Sequence, residues 1–272
     1  MTTTHLPYWR RSLSARLLAT LLAMTPGLVL HSLWLDSQLP MRLLIALTSS
    51  VLTALVLTRS STAMRWPWVL EAAITAVLIS ALWPNQLSVV YAALSAVAGL
   101  TAHYLLGGRC LSPLSPAVLS VALGLALASL IAKNTITPPV ALLLDSALVA
   151  SAWLIGAVLL AALNIINFRG LIGFLIPTLL VWFSGDVPAA ALIVAILLAG
   201  FVIADHHFLP ITQSGQWLLG GIAGLATALL WAIHAAPISA IWVVLLAGLL
   251  SPWLEERSLP AIGQAQNSHE TR

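Results

Sequence analysis

In a chain this apolar, chemistry can reside in the ionisable side chains inside its hydrophobic runs. Each would cost about 2.5–3.5 kcal/mol at the centre of a bilayer helix, so each needs a reason to be there. Glu71, His103 and Asp145 lie within such runs, and His31 and His234 lie at their edges. Two readings stand for Glu71 and Asp145. They are carboxylates near an interface that reach headgroups or a polar neighbour, or they belong to an ion or proton pathway. His103, followed by Tyr104 and Gly107–Gly108–Arg109, reads as a histidine meeting water at a helix end. A haem would need a second histidine at matching depth, and His31 falls near the opposite membrane face.

Three loops add polar groups. Asp205–His206–His207 has too few ligands for a closed metal site and no second cluster to join it, so it reads as a solvated loop with no metal. It continues through Pro210 to Gly215 into a run holding Gly220, Gly221 and Gly224. Glycines at this spacing either let helices approach closely or leave room for a flat ligand. Between Gly107–Gly108 and Ala117, Ser115 is a candidate N-cap and Pro116 a first helical residue. A helix start of that kind also offers N–H groups and a positive dipole end to an anion. A third loop, Lys133–Asn134–Thr135–Ile136–Thr137–Pro138–Pro139, presents hydroxyls on a turn.

The elements that carry these residues follow from composition. Of 272 residues, 60% are hydrophobic and 7% charged, against about 25% charged in a soluble domain. That excludes a soluble globular enzyme, a nucleic-acid-binding domain and a disordered chain. The single cysteine, Cys110, excludes an internal disulfide and an iron–sulfur cluster held by this chain alone. Apolar runs between Pro and polar breakers predict an all-α polytopic membrane protein of about ten transmembrane helices. The runs are 14–35, 41–58, 67–83, 88–106, 115–132, 140–166, 170–183, 187–203, 215–233 and 238–254. Residues 1–257 form one integral membrane domain, and 258–272 a polar cytoplasmic tail. Trp34, Trp66, Trp68, Trp83 and Trp253 sit at run ends, where interfacial aromatics are expected. No short-period repeat is present, and a relation between the two halves is not legible in the residues.

Basic residues set the orientation. With the N-terminus inside, the inner segments hold Arg10, Arg11, Arg16, Arg59, Arg65, Arg109, Arg169, Arg257 and Arg272, and the outer ones only Arg42 and Lys133. This bias puts both termini in the cytoplasm. The arginine pair at Arg10–Arg11 is not read as an export signal, because nine more apolar runs follow.

Four co-linear stretches resemble the membrane D-type subunit of Rnf electron-transport complexes and the homologous B-type subunit of the sodium-pumping NADH:quinone reductase, the RnfD/NqrB family. Leu22–Ala23–Met24–Thr25–Pro26–Gly27 is similar to the family's first-helix L-P-G turn. Gly107–Gly108 through Ser115–Pro116–Ala117 is similar to G-G-x-G…F-N-P-A. Ala204–Asp205–His206 through Gly215–Gln216–Trp217 and Gly220 is similar to T-D-P-x…T-x-x-G-(K/R)-x-(I/L)-(Y/F)-G. Leu249–Leu250–Ser251–Pro252–Trp253–Leu254–Glu255 is similar to the closing N-x-x-x-P-x-I-D.

The resemblance implies a subunit of a flavin-dependent electron-transport complex coupled to ion translocation across the bacterial inner membrane. As an enzyme it is non-autonomous, with other membrane and peripheral subunits of an Rnf-like complex and the lipid bilayer as partners and no nucleic acid. The resemblance also implies FMN joined by a phosphoester to Thr137, a second, non-covalent flavin, and site residues Gly107, Gly108, Ser115 and Asp205. The chain departs from the family pattern at Thr135 and Ile136, which replace Gly and Ala before the acceptor. Leu70–Glu71–Ala72 stands in place of D-G-S, Ser115 in place of Asn, and His206 in place of Pro. A non-redox carrier or scaffold without covalent flavin is the rival reading.

Reporter fusions after Arg257 and within the Thr137 loop are expected to report opposite sides of the membrane, cytoplasmic and outer respectively. Both on one side would overturn the segmentation.

Overall fold

In the computed structural model, residues 12–59, 65–84, 87–108, 112, 114–132, 143–185, 187–233 and 235–258 are described. All regular structure among them is helical. The helices are α1 (Leu13–Trp34), α2 (Leu39–Leu57), α3 (Arg65–Leu82), α4 (Val89–Leu105), α5 (Pro116–Ala132), α6 (Leu143–Ala162), α7 (Phe168–Phe183), α8 (Ala190–Leu198), α9 (Gln213–Ala232) and α10 (Ala240–Ser258). α8 continues as a π-helical turn, Ala199–Ile203. Leu13–Trp34, Leu39–Leu57, Arg65–Leu82, Gln213–Ala232 and Pro237–Arg257 are long and apolar enough to cross a membrane. The other helices are shorter and apolar.

Three sequence expectations need correction. The sixth run does not continue to residue 166. α6 stops at Ala162, and Asn164 adopts φ 54°. Ile165 N–H donates to Leu160 O (2.9 Å) and Asn164 N–H to Ala161 O (2.9 Å). This is a left-handed C-terminal cap with Asn in the place usually held by Gly. The eighth helix starts at Ala190 and not at 187, because Pro188 and Ala189 form the turn before it, with Ala191 N–H donating to Pro188 O (2.9 Å). Trp83 is buried, at 3% exposure, and is not an interfacial aromatic. Trp34, Trp66 and Trp253 are exposed.

The packing has an internal order. In the first half α2 packs on α3 and α4, α1 on α3, α4 on α5, and α3 on α5. In the second half α7 packs on α8 and α9, α6 on α8, α9 on α10, and α8 on α10. These five contacts therefore recur between helices five places later in the chain, whereas the contacts of α3 with α4 and of α1 with α2 have no such counterpart. The halves join through like pairs, α1 with α6 and α5 with α10.

Glycines make the closest of these contacts. A Cβ on Gly27 of α1 would lie 2.3 Å from the Trp153 ring of α6, and one on Gly156 of α6 would lie 2.2 Å from Ala23 O of α1. The two glycines hold corresponding places, each facing residues three or four positions before the other. The same device joins α7 to α9. A Cβ on Gly220 would meet Gly170 O at 2.7 Å, and one on Gly224 would meet Phe174 O at 2.5 Å. Backbone fills the space over these two glycines, so they pack helices and leave no slot for a flat ligand. Where apolar solvent surrounds the bundle, such close approach is a main source of helix association.

One end of the bundle is closed by charge. Arg42 of α2 is 1% exposed. It pairs with Asp36 in the α1–α2 turn and donates to Trp83 O at the end of α3 (2.7 Å). The corresponding tie in the second half is made by backbone, with Asn167 N–H before α7 donating to Ala204 O after α8 (2.8 Å).

Gly156→Ala and Gly224→Ala should each destabilise the protein by about 1–3 kcal/mol, because the added methyl meets backbone. Gly221→Ala should not, since nothing lies within 4 Å of its Cβ position. Thermal unfolding in detergent, followed by tryptophan fluorescence, separates these outcomes.

Candidate functional site

At the other end, the starts of α1, α3 and α5 meet the α6–α7 turn and the end of α8 around a polar cleft. α1 contributes Leu13, Arg16, Leu17 and Thr20, and α3 contributes Glu71, Ile74, Thr75 and Leu78. Each set follows the spacing of one helix face. Ser115, Pro116, Phe201 and Asp205 complete the wall of this chamber, about 50 Å³ in volume. A second chamber of about 30 Å³ lies beyond it, lined by Glu71, His103, Ser112, Ser115, Asp205 and His207 among others. Glu71, Ser115, Pro116 and Asp205 border both chambers.

Local structure explains how each polar group arrives. Glu71 lies on the second turn of α3 and is 7% exposed. His103 does not meet water at its helix end as expected: it is 1% exposed, ends α4 on the same side, and its Nε2 is 4.0 Å from Glu71 Oε1. The Trp68 ring lies 6.1 Å from the His103 ring and meets Tyr104 edge-on at 5.4 Å. Helix α5 begins at Pro116, and Ser115 O accepts the first helical bond, from Leu119 N–H (3.0 Å).

Asp205 follows the π-helical turn, which closes through Ala204 N–H to Ala199 O (3.0 Å). The side chain of Asp205 then accepts from His207 N–H (3.2 Å), a local turn that Asp favours. Arg16 donates to Ile165 O (3.3 Å), in the cap that ends α6.

His206 stands at the exposed rim. Partial burial of its ring pushes its pKa below the usual 6.5, and the Arg16 guanidinium pushes the same way. Asp205 and a hydrogen bond to the Asn164 backbone oppose the shift. The neutral imidazole is therefore favoured at neutral pH.

The sequence candidates divide clearly. Glu71, His103, Ser115 and Asp205 come together. Gly107 and Gly108 do not line the cleft. They make the turn after α4 with φ of 98° and 61°, and a Cβ on Gly108 would lie 2.7 Å from Trp68. Gly108 O accepts from Ser112 N–H (2.9 Å), which sets Ser112 at the second chamber. His31 lies near the far end of α1. Thr137, His234 and the side chain of Asp145 fall outside the described residues. Among the described residues, no three His, Cys, Asp or Glu side chains are grouped to hold a metal ion.

Sequence reasoning missed Arg16 as a site residue and treated it only as a topology marker. Its spacing with Leu13, Leu17 and Thr20 was the available signal. Chambers of this size hold a few waters or a small ion. No family model matches the chain, and no curated protein matches it.

In a histidine NMR titration, the His206 midpoint should lie below 6.5, and Arg16→Gln should raise it by removing a nearby positive charge. An unchanged midpoint in Arg16→Gln would show that the guanidinium does not act on the rim.

Proposed function

We propose that the chain is an ion-moving integral membrane subunit of a flavin-dependent electron-transport complex of the Rnf type. The observation that carries this reading is the convergence of Glu71, His103, Ser115 and Asp205 on one water-sized cleft. These residues come from both halves of the bundle and from stretches far apart in the chain. Buried ionisable groups that line a polar cavity between helices are the usual mark of an ion or proton route. In this reading about ten helices cross the bacterial cytoplasmic membrane, both termini are cytoplasmic, and the cleft opens to the cytoplasm. Five crossings per half would make the halves inverted copies, with the site at their junction, as in many carriers.

The flavin part of the proposal rests on the order of the four motif stretches. The covalent FMN would be carried by Thr137, and a second, non-covalent flavin is part of the same reading. When bound, FMN supplies the electron transfer. The residues of this chain position, hydrate and balance the ion. Iron–sulfur and nicotinamide chemistry falls to partner subunits, since one cysteine holds no cluster. The departures from the family pattern at Thr135 and Ile136 favour the second reading, a carrier or scaffold of the same fold without flavin.

Denaturing gels of protein coexpressed with a flavin transferase should show a fluorescent band, and Thr137→Ala should lose it. A dark wild-type band, together with no flavin absorbance in the native protein, would favour the carrier. In membrane vesicles holding the assembled complex, Asp205→Asn should abolish coupled ion uptake. Undiminished uptake would remove the cleft from the ion route.

A further inference from the structure

We propose that Glu71 and His103 form a proton-binding pair, and that the ion taken by the cleft is a proton delivered through its waters. The inference names the ion for the site described above and rests on that reading.

Glu71 borders both chambers. On its far side stands His103, with Nε2 4.0 Å from Oε1. That separation is too long for a direct hydrogen bond. A small carboxylate rotation, or one water in the chamber that both residues line, closes it. Carboxylate and imidazole are both side chains that accept and release protons in general acid–base chemistry.

The groups facing the pair come from every wall. α1 brings Arg16, α3 brings Thr75, the approach to α5 brings Ser112 and Ser115, and the turn after α8 brings Asp205 and His207 with His206 at the rim. The donor set suits a proton better than an alkali cation. A hard cation needs several converging oxygen ligands. Here two of the five titratable or charged side chains lining the chambers are imidazoles, His103 and His207, and a third is the cationic Arg16, beside Glu71 and Asp205. A proton needs only one acceptor at a time.

The step balances simply. A hydronium ion in the chamber gives its proton to Glu71 Oε1, so an O–H bond forms and water remains. Transfer onward breaks that O–H bond and forms N–H at His103 Nε2. The result is an imidazolium beside a carboxylate at unchanged net charge.

The test is infrared difference spectroscopy of the full-length chain in lipid, titrated with pH. Wild type should show the carbonyl band of a protonated carboxyl group. That band should vanish in Glu71→Gln, persist in Asp205→Asn, and shift its midpoint in His103→Gln, with helicity by circular dichroism confirming that each variant folds. A band that survives Glu71→Gln would overturn the proposal. So would a band displaced at constant pH by saturating sodium chloride but not by choline chloride, because an alkali cation would then be the occupant. The spectrum needs no transport to be read. A titrating Glu71 band without ion uptake in vesicles would therefore retire the transport reading alone, and uptake without the band would retire the proton pair alone.

Discussion

The crossing of α1 and α6 at Gly27 and Gly156 is the contact on which the rest of the bundle depends. Each glycine faces the backbone or ring of the opposite helix at a distance no Cβ would allow, so the two helices cross in close contact. In an apolar surround there is little hydrophobic drive to bring helices together, and close packing must supply the adhesion. Trp153 fills the crossing, fully buried and edge-on to Phe201 at 5.8 Å. Phe201 lies in the π-helical turn and also lines the cleft. The helix junction and the polar site therefore share one side chain, and the geometry of the first limits that of the second.

The few charges are divided between the two ends of this arrangement. At one end, Asp36 and Arg42 neutralise each other and Trp83 O takes a further guanidinium bond. Breaking such a pair would strand a buried charge, so this end is locked. At the other end the equivalent tie is a backbone bond from Asn167 to Ala204, and the charged side chains are left to line a cavity. The same fold position is thus a seal in one half and the rim of a site in the other. This pairing also accounts for Arg42 as one of the two basic residues on the outer side of the charge tally. It is held inside the protein, paired with Asp36.

Much of this was legible in the residues. Apolar runs and their breakers located the helices, because a 20-residue apolar run has few alternatives in a chain so poor in charge. Glu71, His103, Ser115 and Asp205 stood out because ionisable or capping groups beside such runs need a reason. The end of α6 was missed because Asn164 followed by two isoleucines looks apolar, although Asn after a helix is a known stop. The π-helical turn left no mark in the sequence, and Arg16 was hidden by its second use as a topology marker. The likeness of the halves lies in which helix touches which, and in single places such as Gly27 and Gly156. Residue identity carries little of it, so it emerged only from packing.

The central claim is that the loop before α5 and the turn after α8 meet across one cleft. Paired cysteines test it directly, since Cys110 is the single cysteine of the chain and can be replaced by Ser. In that background Ser115→Cys and Asp205→Cys should be joined by a short bifunctional thiol reagent and recovered as one cross-linked peptide pair by mass spectrometry. If each cysteine is labelled singly but the two are never joined, the cleft does not exist in the membrane and the account fails.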